Sequence, residues 1–252
     1  IFMMAAYFMI FAMVDFMIPW YLSIVVVVIA TVILGVVIEK VAYKPLRSAP
    51  RMSIMISAIG VSYLLQNTAT YLFSALPKSY PSIDVLNKRI TIGDVSTSLV
   101  TFITPIITII AVILLLMLIK HTKVGMAMRA VSKDFETAQL MGIKINNVIS
   151  ATFVIGSALA AIGSILYFSN YSAVTPTIGS MPGLKAFVAA VFGGIGSIPG
   201  AFLGGLLLGI IEALAKAYIS TTLANAIVFA VLIVVLLVKP AGLLGRYVPE
   251  KV

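Results

Sequence analysis

The sequence has no cysteine, one histidine, one tryptophan and little charge: Asp, Glu, Lys and Arg make up 10% of its 252 residues. Each shortage removes a class of function. Without cysteine there is neither a disulfide framework nor a thiolate metal site. The one histidine, His121, sits in a charged loop, which disfavours an imidazole metal site as well, and no metal ligand set is expected. Soluble domains carry about 25% charged residues. A chain of this size that is 62% hydrophobic could not hide that much apolar surface from water. Lipid lifts the constraint, so composition specifies an integral membrane protein.

The chain opens at Ile1 inside an apolar run with no charged region before it. That does not read as a signal peptide. It reads as a fragment beginning within a helix, with further transmembrane sequence upstream.

A membrane-spanning helix needs about 20 mostly apolar residues. Runs of this kind cover Ile1–Val14, Ile18–Val37, Ser53–Leu76, Leu99–Ile119, Val148–Ser169 and Leu223–Val238. The stretch Gly183–Tyr218 holds two shorter runs, Leu184–Phe192 and Ala201–Ala215, around Gly193-Gly194-Ile195-Gly196-Ser197-Ile198-Pro199-Gly200. Two readings stand: a tight turn between two spans, or a re-entrant element of the kind that lines cavities in transporters. The expected fold is all-α, a polytopic transmembrane helical bundle of about eight segments in one domain spanning 1–252.

Basic residues concentrate on the cytoplasmic side of membrane proteins. Twelve of the 17 lie in three segments: Glu39–Arg51, Lys120–Asn147 and the tail after Val238. Placing Glu39–Arg51 inside puts the loop at about 77–98 outside, Lys120–Asn147 inside and the C-terminus inside. The net charge of +9 is then an orientation signal and a contact with anionic lipid. No basic face is interleaved with exposed aromatics, so nucleic acid is not an expected partner. In the outer loop, Ile83 and Val85 alternate, Asn87-Lys88 suits a turn, and Ile90 and Ile92 alternate again, the pattern of a small hairpin.

The inner loop at about 120–147 is long for a bundle connection. Within it, Ser132–Gly142 reads as a short helix, capped by Ser132, with Asp134 and Glu136 at its positive end and Gly142 as a left-handed stop. Phe135, Ala138 and Met141 share one side. Such a helix suits docking on a partner, or packing on its own bundle or on lipid. Gly196, Gly200 and Gly204, and likewise Gly205 and Gly209, repeat at intervals of four, the spacing that lets helix backbones approach in lipid. On the third segment Ser57 and Asn67 are read as sharing a face with Gln66 beside it, near mid-span, where polar groups face a bundle interior or a wet substrate pathway. Glu212 and Lys216, four apart, suit a structural ion pair; Lys185 is placed to snorkel. No Gly-x-x-x-x-Gly-Lys-Ser/Thr phosphate loop occurs, so the chain is not itself an ATPase. An ion-coupled transporter, a channel or an intramembrane enzyme would want buried acids, a filter or paired catalytic groups. Glu212 alone fits the first.

Met128-Arg129-Ala130-Val131-Ser132 followed by Ala138-Gln139-Leu140-Met141-Gly142-Ile143 resembles the coupling loop of ABC importer permeases, best the branched-chain amino-acid subfamily. Further stretches agree in order: Ala42-Tyr43-Lys44-Pro45-Leu46-Arg47-Ser48, Ile56-Ser57-Ala58-Ile59-Gly60 with Leu65-Gln66-Asn67, Gly183-Leu184-Lys185-Ala186-Phe187 through Ala201, and Lys239-Pro240-Ala241-Gly242-Leu243-Leu244-Gly245. The resemblance implies a second homologous permease, two cytoplasmic ATP-binding subunits and an extracytoplasmic substrate-binding protein as partners. It implies that ATP and Mg are used by those subunits and no cofactor is bound by this chain. It also implies that Arg129, Glu136, Ala138 and Gly142 meet the ATPase. The expected location is a bacterial cytoplasmic membrane. Urea, sugar and nucleoside permeases of the same superfamily are the nearest alternatives.

Overall fold

The computed structural model describes residues 1–47, 49–83, 88–92 and 95–245, with the backbone alone for Arg51 and for residues 89–92, 95 and 96. Helix α1 (Phe2–Ile10) runs into a π-helical turn at Phe11–Asp15. Helix α2 (Trp20–Ile38) is followed by a second π turn, Glu39–Tyr43, and a 3-10 turn, Lys44–Leu46. Then come α3 (Arg51–Phe73), α4 (Leu99–His121), α5 (Lys123–Lys133), α6 (Phe135–Leu140), α7 (Ile145–Asn170), α8 (Ser180–Gly193), α9 (Ile198–Tyr218) and α10 (Ala224–Val238). The all-α expectation holds.

Among the described residues, Trp20–Leu46, Leu99–His121, Ile145–Asn170 and Ile198–Tyr218 are long and apolar enough to cross a membrane. Helix α3 has 23 residues, but its serines, threonines, Gln66 and Asn67 dilute its apolar character. At 14 and 15 residues, α8 and α10 are about 21–23 Å long, shorter than a hydrocarbon core of about 30 Å. Helix α4 buries only Val100 and exposes Ile106, Ile109, Ile110, Ile113, Leu114 and Met117. So large an apolar face is what a lipid or protein surround would cover.

The chain packs as two compact units, Ile1–Gly179 and Ser180–Val252. In the first, α1 is apolar all round and buries Met3–Tyr7, Met9 and Ile10, as a core helix does. Around it lie Ala161, Ile165 and Phe168 of α7, Val27 of α2, and Ala69 of α3. Helices α2 and α7 are antiparallel. Four of the five buried residues of α2, Ser23, Val27, Thr31 and Gly35, recur every fourth position, and three of them are small enough for close helix approach; Ile38 is the fifth.

The first unit has two distinct ends. At one, Arg47 donates to Asn146 Oδ1 and the Ser150 hydroxyl donates to Glu39 Oε2 at 2.9 Å. At the other, strand β1 (Lys78–Ser79) pairs antiparallel with a strand at Ala173–Val174, and the Ser98 hydroxyl donates to Asn170 Oδ1 at 3.3 Å. Segments 39–47 and 120–147 therefore share one end, and 77–98 and 171–174 the other.

A hairpin exists in segment 77–98 but not where alternation suggested. Strand β2 (Arg89–Ile92) pairs with β3 (Val95–Ser98), Ile92 opposite Val95, which makes the strand at Ala173–Val174 β4. The expected second arm is the first. Gly93 and Asp94, between the paired ends, are turn chemistry for a two-residue connection, a stronger signal than Asn87-Lys88. Residues 84–87, 93 and 94 lie outside the described residues, and with them Val85 and Asn87.

In the second unit α8 and α9 form an antiparallel hairpin. The segment after α10 returns to its turn: Leu243 N donates to Phe192 O and Leu244 N to Gly193 O, both at 2.9 Å. Gly194 and Gly242 take φ of +107° and +77°. A Cβ on Gly194 would stand 2.3 Å from Gly245 N. The two glycine-containing motifs at 193–200 and 239–245 thus interlock.

Candidate functional site

The loop at 120–147 holds two helices, α5 and α6. Thr122 accepts from Gly125 N at 3.0 Å and starts α5. Ser132 belongs to α5, where its hydroxyl donates to Arg129 O at 2.9 Å; the expected Ser132 cap is corrected to Asp134. Extended at φ −155°, Asp134 breaks the chain direction. Its Oδ1 accepts from Glu136 N and Thr137 N at 3.0 and 3.2 Å, and its Oδ2 from the Thr137 hydroxyl at 2.5 Å. A carboxylate can take both free N–H groups and sits at the positive end of the helix. The Thr137 hydroxyl, then the Thr137 and Glu136 amides, hold the Asp134 carboxyl below its ordinary range. Gly142, at φ +80°, ends the element: Gly142 N donates to Gln139 O and Ile143 N to Ala138 O.

The expected apolar side of this helix divides. Ala138 is 4% exposed and packs with Val131 and Val148 of the same chain, while Phe135, Leu140 and Met141 are exposed. Leu140, 87% exposed, is the most outward of the three and was missed by the grouping of Phe135, Ala138 and Met141. One short turn of helix cannot bury and present the same stripe. Glu136 is exposed, and Arg129 reaches back to the carbonyl of Lys120 at 3.3 Å. Phe135, Gln139 and Gly142 border a groove of ≈ 570 Å³ whose other wall is Ile143–Asn147 and Arg47.

Beside that groove lies a cluster sequence reasoning missed. Glu39 is fully buried, paired with Arg47 and Ser150. The available signal was one acid in an otherwise basic segment.

The residues expected to line a pathway are not brought together. Ser57 and Gln66 are nine residues apart, which at 3.6 per turn places them on opposite sides of α3, not on neighbouring faces. Gln66 donates to Ser62 Oγ and Asn67 to Tyr63 O, both within the same helix. In α3, Arg51–Phe73, they lie four and five residues past the helix midpoint, nearer its middle than its end.

The glycines divide by position. A Cβ on Gly200 would lie 2.3 Å from Gly193 O, and one on Gly204 2.4 Å from Ala189 O, both on α8. Gly205 would make ordinary contact with Ala189 at 3.8 Å, and Gly209 meets nothing within 4 Å. Gly196 precedes α9 at φ +88° in open space; it serves the turn. Lys185 does not snorkel: its Nζ lies 2.8 Å from Glu212 Oε1, which Lys216 also approaches at 2.6 Å. Among the described residues no three His, Cys, Asp or Glu side chains gather as a metal site.

Long apolar helices, motif glycines locking α8 to α9 and to the returning tail, and a capped helix between α5 and α7 define a multi-pass helical membrane protein. The sequence matches the family described as "Branched-chain amino acid transport system / permease component" over residues 1–236, and the chain belongs to it. It is 40% identical over 228 residues to the high-affinity branched-chain amino acid transport system permease protein BraD of Pseudomonas aeruginosa, covering 89% of this chain and 74% of that protein. It is 43% identical over 220 residues to the corresponding permease LivH of Escherichia coli strain K12, covering 85% and 71%. No solved structure matches.

Proposed function

We propose that this chain is a permease subunit of a binding-protein-dependent ABC importer that moves branched-chain or related amino acids across a bacterial cytoplasmic membrane. The observation that carries the reading is family membership over residues 1–236. Its partners are a second homologous permease, two cytoplasmic ATP-binding subunits that use ATP and Mg, and an extracytoplasmic binding protein. Support for the orientation is that the two basic segments of the first unit share an end. The basic residues of the C-terminal tail, Lys239, Arg246 and Lys251, support a cytoplasmic tail by the same charge rule.

Helix α6 is the docking element. Phe135, Leu140 and Met141 are its apolar contacts, and Glu136 its charge. Ala138 packs it on α5 and α7, Arg129 ties α5 to α4, and Gly142 sets its exit. Closure of the ATP-binding subunits displaces α6 in each permease and switches access of a central pathway.

The test is co-purification with the neighbouring gene products, then uptake and ligand-stimulated ATP hydrolysis in liposomes. No ATP-binding partner, or no amino-acid uptake, would sink the proposal. Gly142→Pro demands φ near −65° where the chain has +80°. It and Glu136→Lys should uncouple hydrolysis from uptake while membrane insertion persists; normal uptake in both would refute the coupling assignment.

A further inference from the structure

Glu39 is 0% exposed at the end of α2, and a carboxylate so placed must be paired. Its Oε1 accepts from Arg47, and its Oε2 from the Ser150 hydroxyl at 2.9 Å. The second terminal nitrogen of Arg47 donates to Asn146. Asn146 and Ser150 stand one turn apart on the first two turns of α7, directly after the loop from Gly142. One guanidinium–carboxylate pair therefore binds the end of α2 to the start of α7, at the wall of the groove that α6 borders.

Apolar residues would hold two helices together at less desolvation cost. A charged pair instead fixes direction and register. Two further features suit a link that has a second arrangement. Glu39 opens a π turn, Glu39–Tyr43, a wider turn that recurs at functional sites. The Nε–H of Arg47 is buried with no acceptor among the described residues, so a donor is in reserve.

We infer that Glu39 and Arg47 are positioning residues of transport: the pair transmits displacement of segment 135–147 through Asn146 to α2. The inference rests on the coupling role proposed for α6. When that segment moves, Asn146 draws on Arg47, and the buried carboxylate makes the end of α2 follow.

The test uses the full reconstituted complex with its ATP-binding subunits and binding protein. Wild type, Glu136→Lys, Glu39→Gln, Asn146→Ala and the exchange Glu39→Arg with Arg47→Glu are compared for assembly, basal hydrolysis, and amino acid imported per ATP. Assembled Glu39→Gln is expected to keep basal hydrolysis and to import roughly 3- to 30-fold less per ATP, the range of mutations along a coupling route. Asn146→Ala leaves no buried charge unpaired, so it folds if Glu39→Gln does not; it should fall the same way. The exchange should recover part of the loss. Unchanged import per ATP in assembled Asn146→Ala overturns the link, as does a loss that merely tracks assembly. If Glu136→Lys uncouples while the pair variants do not, the link alone fails. If Glu136→Lys is also normal, the coupling reading of α6 fails with it.

Discussion

Gly35 of α2 and Ser157 of α7 share one site in their packed interface: a Cβ added to Gly35 would stand 1.9 Å from Ser157 Oγ and 2.8 Å from Ser157 Cβ. The Ser157 hydroxyl is buried without a hydrogen-bond partner among the described residues, so space rather than bonding sets the pair. Gly35→Ala should destabilise by about 1–3 kcal/mol, the usual cost of overpacking, read as a lowered unfolding temperature in detergent. Ser157→Gly in the same chain removes both clashing atoms without losing a bond and should restore most of the loss. Failure of the double variant to recover would mean that the interface is set elsewhere.

Two glycines five residues apart on α9 should behave oppositely. Gly204→Ala forces a methyl to 2.4 Å from the Ala189 carbonyl, a backbone atom that cannot swing away. It should cost about 1–3 kcal/mol. Gly209→Ala meets nothing within 4 Å and gains up to about 1 kcal/mol of helix propensity. Thermal unfolding of the two variants side by side checks the order.

What was legible follows from what each pattern encodes. Hydropathy marks where a helix is, so the apolar runs were placed within a few residues. It cannot mark which face is buried when every face is apolar, and α2 is such a run. There the signal was size, with Ser23, Thr31 and Gly35 on one stripe. Charge counting identified 39–51 as a basic segment but averaged over Glu39, whose burial depends on Asn146 and Ser150 more than 100 residues away. The helix after α5 was foreseen, but its cap was assigned two residues early. Ser132 is a sound cap by type, and only the extended backbone at Asp134 decides between them. The meeting of residues 193–194 with 242–245 is a tertiary approach of two turns, which neither local pattern contains.

The order of α6 should depend on acid. The folded Asp134 carboxyl lies below its ordinary value, near 3.9 in an unfolded chain. Its contribution is complete above that value and fades as pH falls through the lower folded one. Protection of the amides of residues 135–141, that is, exchange relative to the intrinsic rate at each pH, should thus be level from neutral pH to about 4 and fall below it. Asn caps a helix about as well as Asp, so Asp134→Asn should keep the helix and remove the acid dependence. Asp134→Ala should raise exchange at every pH. A flat profile in the wild type would refute the role of the carboxylate.

Glu212 carries the ionic part of the α8–α9 hairpin, because both lysines meet the same oxygen, Oε1. The three side chains are not equivalent. The Lys216 side chain is 43% exposed, so its pair with Glu212 is largely shared with surrounding water or headgroups, and Lys216→Ala should cost about 0.2–1 kcal/mol. Lys185 is less exposed, at 28%, and Glu212 is at 17%. Lys185→Met removes one charge, leaves Glu212 paired with Lys216, and puts an apolar chain of similar length against α9, so its cost should be intermediate. Glu212→Gln keeps a neutral acceptor but removes the negative charge that both ammonium groups approach. Its cost should exceed that of either lysine variant, because one change weakens both pairs. Adding Lys185→Met to Glu212→Gln removes the more enclosed of the two lysine charges and should recover stability relative to Glu212→Gln alone. Unfolding temperatures of the four variants in one detergent measure the order. If Lys216→Ala proved as damaging as Glu212→Gln, the pair within α9, rather than the bridge to α8, would be the contact that matters.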